Sequence, residues 1–452
     1  MPTETIMHAR QCLDTLRANV DAAFAYLHGV CLQDGTLAPQ LLDQNQKVSY
    51  ELAFCVAELE ASAALLDYAV SIDTETDLCA RVALVFCAET IRSTWQRLLS
   101  HAQELGLQST ELLTLMGTDL FVGFLDSHGD VKQLAQIGAE LLDRGNARLP
   151  TGLGEEKDLV RESFARFADD VVMPKAESIH RFDTDIPDAL IEAAAAMGCF
   201  GTCIPEQFGG LMPDDRHDSL GMLVVTEELS RGSLGAAGSL ITRPEIAARA
   251  LLHGGTEAQK LKFLPQLAAG QMLAAISITE PDYGSDVASL SLKASSTDNG
   301  WVLNGAKTWC TFAGKADVIV VIARTDPDRK KGHRGLSMFM VEKPRFEGHE
   351  FSYDNPAGGR LIGRAIPTIG YRGMHSFDLS FTDYAVPNEA LVGEDNGQGQ
   401  GFYLTMAGLS GGRIQTAARA SGVMQAALEK ALTYADDRKV FGAPVGLSLI
   451  HI

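Results

Sequence analysis

Residues Ile278 to Asp286 read ITEPDYGSD, and further on Asn304 to Phe312 read NGAKTWCTF. A Thr-Glu-Pro corner followed by Gly284 and Ser285 offers backbone N–H groups and a hydroxyl to a pyrophosphate. The Asn-Gly pair at 304 and 305 predicts a turn leading into a strand. On that strand Trp309 and Thr311, two apart, fall on one face. A flat aromatic beside a hydroxyl donor suits a flavin ring whose N5 needs a hydrogen-bond partner.

Working outward, 452 residues are too many for one core and predict about three domains. The 46% hydrophobic and 21% charged fractions are those of a water-soluble globular protein. A formal net charge of -20 argues against a nucleic-acid surface, which needs a basic stripe. Anionic small ligands stay open, because a local arginine cluster can hold phosphate on an acidic protein. The eight cysteines have no CxxC spacing, so no metal site is expected from them. They read as reduced thiols packed as small apolar residues, which points to a cytoplasmic setting. The opening MPTETIMHARQCLD lacks a signal peptide's apolar run, and no stretch reaches membrane-spanning length.

Residues 1–150 read as successive helices, with Leu52, Cys55, Val56, Leu59, Ala63 and Leu66 forming one apolar stripe. The Pro and Gly residues between Arg148 and Gly154 break the pattern. The next helix puts Val160, Phe164, Phe167 and Val171 on one face and is expected to stop at Pro174. Glu227, Glu228 and Leu229 are expected to open another, and Thr256 to cap the helix of GGTEAQKLKFLPQLAAG. From Gln271 the period shortens. Trp301–Leu303, Val318–Arg324, Leu336–Glu342 and Phe377–Phe381 read as strands of an all-β domain. Beyond Glu394 helix returns, nearly unbroken from Arg413 to Tyr434. The expected domains are 1–150, 155–270, 271–392 and 393–452. This order excludes an alternating α/β fold, and no G-x-G-x-x-G follows a strand to bind a nicotinamide.

The motifs IPEQFGG, EELSRG, GTEAQKLKFLPQLAAG, ITEPDYGSD, NGAKTWCTFAGKAD and DRKVFGAP occur in this order. With IGYRGMHSFDLSFTDYAVPNEALVGEDNGQGQGF, they make the chain from Glu155 to about Val445 resemble the acyl-CoA dehydrogenase family. The helical extension, with GRAIPTIGYRGMHS and GRIQTAARASGVMQAAL, resembles the methylsuccinyl-CoA dehydrogenase branch. The resemblance implies a mainly α fold with a central β-barrel-like domain and the start of a C-terminal four-helix bundle. It implies FAD, with Ile276, Ser277, Ile278, Thr279, Gly284, Ser285, Trp309, Cys310 and Thr311 around the flavin. Arg438 and Phe441 would reach the FAD of a neighbouring subunit in a homodimer or homotetramer. Ser285, Ser410 and Arg413 would face the CoA thioester, and Arg243 a substrate carboxylate. Electrons would pass to an electron-transferring flavoprotein.

The chain departs from that pattern in places. Asp282 and Tyr283 stand where the family has small residues. The catalytic glutamate is expected beyond Ile452, and the alternative position on the last helix is Gly412. About two helices of the final bundle are expected, with a C-terminal truncation and non-native last residues. An acyl-CoA oxidase and a non-catalytic assembly protein on the same fold are the competing readings.

Overall fold

A computed structural model of the chain describes residues 3–72, 77–145, 147–216 and 218–447. The end of GLSLIHI, residues 448–452, lies outside them. The chain divides into two units, Met1–Gly152 with Leu428–Ile452, and Leu153–Ala427.

The first unit is helical: α1 (Thr3–Val30), α2 (Pro39–Gln44), α3 (Gln46–Ser71), α4 (Leu78–Ser100), α5 (Ser109–Met116), α6 (Asp119–His128) and α7 (Val131–Arg144). A two-residue hairpin, β1 (Leu32–Gln33) and β2 (Thr36–Leu37), interrupts it. The expected stripe places Leu52, Cys55, Leu59 and Leu66 of α3 in one core with Leu16, Leu84, Ile91 and Phe121.

The second unit opens with α8 (Glu155–Phe167). The helix does not stop at Pro174. A π-helical turn, Ala168–Val172, leads straight into α9 (Met173–Phe182), where proline occupies the first turn. The π turn just ahead of Pro174 shifts the hydrogen-bond register, so the missing N–H and the proline ring are accommodated without ending the helix. Next come α10 (Asp188–Ala196), α11 (Ser219–Ser233), α12 (Thr242–Gly254) and α13 (Glu257–Ala268). Helix α11 starts eight residues before Glu227, because Asp218 caps it by accepting from the Gly221 N–H. Thr256 caps α13 as expected and forms a full capping box with Gln259.

The strands are β3 (Ala274–Ser277), β4 (Lys293–Thr297), β5 (Gly300–Thr311), β6 (Val318–Arg324), β7 (Leu336–Glu342), β8 (Glu350–Asp354), β9 (Arg360–Ala365) and β10 (Ser376–Val386). They pair in the order β3-β6-β4-β5-β10-β9-β8, with β7 on the free side of β6. All pairs are antiparallel except β3 and β4 against β6. The run VIVVIAR of β6 is buried throughout, as expected for a strand covered on both faces. Val318, Val320 and Ile322 join the core built with α12 and α13, while Ile319, Val321 and Ala323 join the core of β5, β9 and β10. Period-two alternation thus divides one apolar run between two cores.

Helix α14 (Gly401–Asp437) is a single helix where two were expected, followed by a hairpin of β11 (Lys439–Val440) and β12 (Ala443–Pro444). No proline interrupts α14, and Gly442 closes the hairpin at φ 84°. Its glycines set how closely it packs. A Cβ on Gly422 would lie 2.1 Å from the Glu227 carbonyl oxygen and 2.9 Å from the Arg231 nitrogen. Gly422→Ala is expected to destabilise the second unit by about 1–3 kcal/mol, because the obstacle is backbone. Gly138→Ala in α7, with open space at its Cβ, is expected to stabilise by about 1 kcal/mol. Urea unfolding of both variants reads the opposite signs. Among the described residues no helix is long and apolar enough to cross a membrane.

Candidate active site

The ITEPDYGSD segment is held by its glutamate. Both carboxylate oxygens of Glu280 are used: one accepts from Ser291 N–H and Oγ at 2.7 and 2.6 Å, the other from Leu292 N–H at 2.8 Å and Lys307 Nζ at 2.9 Å. Lys307 also donates to the Ile278 carbonyl at 2.7 Å. The pair is buried, with the two side chains 3% and 0% exposed. Burial alone would raise the Glu280 carboxyl, but Lys307 and the donors at Ser291 and Leu292 hold it below the usual carboxylate range. Two further bonds join this turn to β5: the Thr308 N–H donates to the Thr279 carbonyl at 2.9 Å, and Cys310 Sγ to Ser277 Oγ at 3.2 Å. Ile276 to Thr279 and Trp309 to Thr311 therefore belong to one cross-linked body. Gly284 and Ser285 are exposed on the turn, and a Cβ on Gly284 would meet nothing nearer than 3.9 Å.

Strand β5 is not the regular strand its sequence suggests. Opposite β10, Phe377 pairs with Cys310 and Leu379 with Lys307, so Asp378 alone faces Thr308 and Trp309. Trp309 sits in this bulge with φ 57°, a left-handed conformation costly for a bulky residue. Its indole is 56% exposed, while Cys310 beside it is fully buried. Strict alternation therefore does not set the direction of Trp309; the bulge does. The predicted turn at Asn304 and Gly305 is also absent. Both lie within β5, opposite a second irregularity of β10, where the Asn304 side chain pairs with the backbone and carboxylate of Asp383.

The loop before β10 completes the surroundings. Phe312 N–H donates to the Met374 and His375 carbonyls at 3.0 and 2.8 Å, and Thr311 Oγ1 lies 2.8 Å from Ser376 Oγ. Tyr371 and His375 both have positive φ, 62° and 29°. The Tyr371 hydroxyl accepts from Arg243 at 3.1 Å. Arg243 also donates to the Ser239 carbonyl, and Arg419 of α14 donates to Ser239 Oγ at 2.9 Å and Thr416 Oγ1 at 2.7 Å. Burial opposes ionisation of the Tyr371 phenol, yet Arg243, Ser239 and Arg419 bring it below its ordinary range. Burial, with repulsion from Arg243, pulls Arg419 down. Among the described residues no carboxylate lies within ion-pair distance of either arginine. Thr242 Oγ1 and both polar side-chain atoms of Gln415 are buried without a partner.

Ser410 and Arg413 are exposed on α14, and the Ser410 hydroxyl donates to the Ala407 carbonyl of its own helix. Arg438 and Phe441, also exposed, belong to the first unit, at the end of α14 and in the hairpin. Glu280, Lys307, Tyr371, Ser376 and Arg419 escaped the sequence reading. An arginine amid small residues in GRIQTAARASG was the available signal for Arg419.

Family models place this architecture. The acyl-CoA dehydrogenase N-terminal domain matches residues 154–271, the middle domain 275–384 and the C-terminal domain 399–448. The chain is 36% identical over 447 residues to (2S)-methylsuccinyl-CoA dehydrogenase of Cereibacter sphaeroides, covering 96% of this chain and 78% of that protein. This alignment includes the front helical region that the family models leave out. A glutaryl-CoA dehydrogenase solved with glutaryl-CoA is similar at 29% identity and TM-score 0.58, covering 66% of this chain and 71% of that one. PigA, solved with FAD and proline, is similar at 28% identity and TM-score 0.56, over 66% and 73%. The chain belongs to the acyl-CoA dehydrogenase family.

Proposed function

We propose that the chain binds FAD and oxidises (2S)-methylsuccinyl-CoA to mesaconyl-CoA, with an electron-transferring flavoprotein as acceptor. The observation that carries the substrate half is the cluster of Arg243, Tyr371 and Arg419. Two guanidinium groups converge there with a phenol and no carboxylate, so an anion arriving with the ligand fits the gap. A methylsuccinyl group brings one carboxylate beyond its thioester. A relative aligned over 96% of this chain, extension included, is named for that substrate.

The residues present fit FAD. An exposed indole fixed by a strained bulge offers a flat platform, and the open Gly284–Ser285 turn leaves room for phosphate oxygens. Trp309, Thr311 and Ile276 to Thr279 would hold the ring, and Gly284 and Ser285 the pyrophosphate. FAD, when bound, supplies the acceptor for a hydride from the acyl β-carbon. Ser376 positions Thr311 through their 2.8 Å hydroxyl contact; with the serine as donor, the threonine proton is left for the cofactor. Ser410 and Arg413 would serve the CoA end. Arg438 and Phe441 would complete the adenine half of a neighbouring subunit's site, which makes the working form a homodimer or homotetramer. No residue of the chain is assigned as the base.

Turnover of a panel of acyl-CoA esters, with an artificial electron acceptor or with oxygen alone, tests this reading. Preference for methylsuccinyl-CoA over butyryl- and isovaleryl-CoA, only with the acceptor, is expected. Equal rates on monocarboxylic esters would remove the substrate assignment; turnover on oxygen would make the protein an oxidase.

A further inference from the structure

Behind the loop that carries Tyr371, three side chains from distant parts of the chain meet. Asp183 follows α9 in a left-handed conformation (φ 53°), His349 precedes β8, and His375 precedes β10. Their donor atoms all lie within 4.8 Å of one another. His375 Nε2 is 3.1 Å from Asp183 Oδ1 and 3.2 Å from His349 Nε2, and His349 Nε2 is 3.9 Å from Asp183 Oδ2. We propose that Asp183, His349 and His375 form a binding site for one divalent transition-metal ion of the zinc class.

The distances fit such an ion. Two ligands at about 2.0–2.1 Å from a tetrahedral zinc lie roughly 3.4 Å from each other. The separations of 3.1, 3.2 and 3.9 Å lie around that value, the first and last being to different oxygens of the Asp183 carboxylate. Two imidazoles with one carboxylate suit zinc and its neighbours and are a poor set for magnesium or calcium, which take oxygen ligands. The surroundings also have the form of a metal site's outer layer. His375 Nδ1 is 3.0 Å from Asp185 Oδ1, and the other Asp185 oxygen accepts the Gly348 N–H at 2.6 Å. A carboxylate fixed behind Nδ1 would keep a proton there when an ion binds, leaving Nε2, which faces Asp183 Oδ1, to give its lone pair to the metal. His349 Nε2 lies 2.9 Å from the Asp183 carbonyl, so the ring is turned inward. Arg372 approaches Asp183 Oδ1 at 3.5 Å, and its guanidinium is otherwise held by the Thr368 and His180 carbonyls.

Access and consequence follow from burial. His375 is nearly inaccessible at 5%, whereas His349 and Asp183 are 47% and 39% exposed, so the cluster opens to solvent on one side. That side admits the ion and leaves a fourth position for water. His375 is followed by Ser376, the partner of Thr311, and its carbonyl accepts the Phe312 N–H. A bound ion would therefore tie the 371–376 loop to the segment after α9. The proposal does not rest on the assigned substrate or on FAD.

Cobalt(II), added to the metal-free full chain, is the probe. One equivalent bound per chain, with the intense visible bands of a four-coordinate ion that zinc then displaces, is expected. Zinc should raise the melting temperature of the unaltered protein and leave His349→Ala unchanged. His349 is half-exposed in a loop, so this variant should melt like the parent without metal; if it does not fold, Asp183→Asn replaces it. Absence of saturable cobalt binding, or binding retained in either folded variant, would overturn the site.

Discussion

Lys307→Met is expected to destabilise the second unit by about 3–5 kcal/mol, because it leaves the Glu280 carboxylate buried without its counter-charge. The pair is too deeply placed for solvent to screen it, with exposures of 0% and 3%. The pH dependence supplies a second readout. In the unaltered protein the Glu280 carboxyl lies below the ordinary range. Its stabilisation is therefore complete above the unfolded value of about 4.3 and disappears as pH falls through the lower folded value. In Lys307→Met the same carboxyl is desolvated without its counter-charge, with only the Ser291 and Leu292 donors left, so its folded value moves up. The variant should then gain stability as the pH is lowered from 7 toward about 4.3, a window in which this group's contribution to the parent is flat. Urea midpoints at pH 7 and pH 5 measure both effects. A loss below about 1 kcal/mol, or an unchanged slope, would mean that Glu280 is held by Ser291 and Leu292 alone.

Arg419→Met is expected to separate binding from folding. If the arginine pair receives the distal carboxylate of the acyl group, each charge-assisted hydrogen bond contributes about 1.5–3 kcal/mol, or roughly 10–150-fold in kcat/KM. The loss should appear mainly in KM for methylsuccinyl-CoA and be small for butyryl-CoA, which has no carboxylate to place. The free protein should be no less stable than the parent. Repulsion between Arg243 and Arg419 is relieved, which offsets the lost bonds to Ser239 and Thr416 and the lost attraction to Tyr371. Arg243→Met should follow the same pattern, and the double variant should lose less than the sum, since the two act on one anion. A marked fall in melting temperature with equal losses on both esters would make the arginines structural.

Much of this architecture was legible from pattern. The β6 run VIVVIAR, the Thr256 cap and the α3 stripe follow from periodicity and capping chemistry acting locally. The misplaced features share another cause. Pro174 looked like a terminator because a proline's lost hydrogen bond is visible in sequence, whereas the π turn that accommodates it is not. Asn304 and Gly305 looked like a hairpin turn, yet their strand continues because Asn304 finds its partner on Asp383, far along the chain. The bulge at Trp309 depends on the register of β10, which no local pattern encodes. At the site, short motifs pointed to the residues proposed for the cofactor but not to the groups that fix them. Glu280 sat inside a quoted motif and read only as part of a corner; its partner Lys307 is buried by a strand pairing. Arg243 was visible as a single charge, while Arg419 and Tyr371 meet it only after α12, α14 and the 371–376 loop come together.

In the proposed flavin site the Ser285 turn, pinned by Glu280, and the bulged strand bearing Trp309 and Thr311 act as one body. Calorimetric titration of FAD into the flavin-stripped protein tests it directly, with Trp309→Ala, Ser285→Ala and Glu280→Gln alongside. Saturable binding that is weakened by each of the first two substitutions and lost in the third is predicted. Saturable FAD binding indifferent to all three, or no binding by the parent protein, would contradict it.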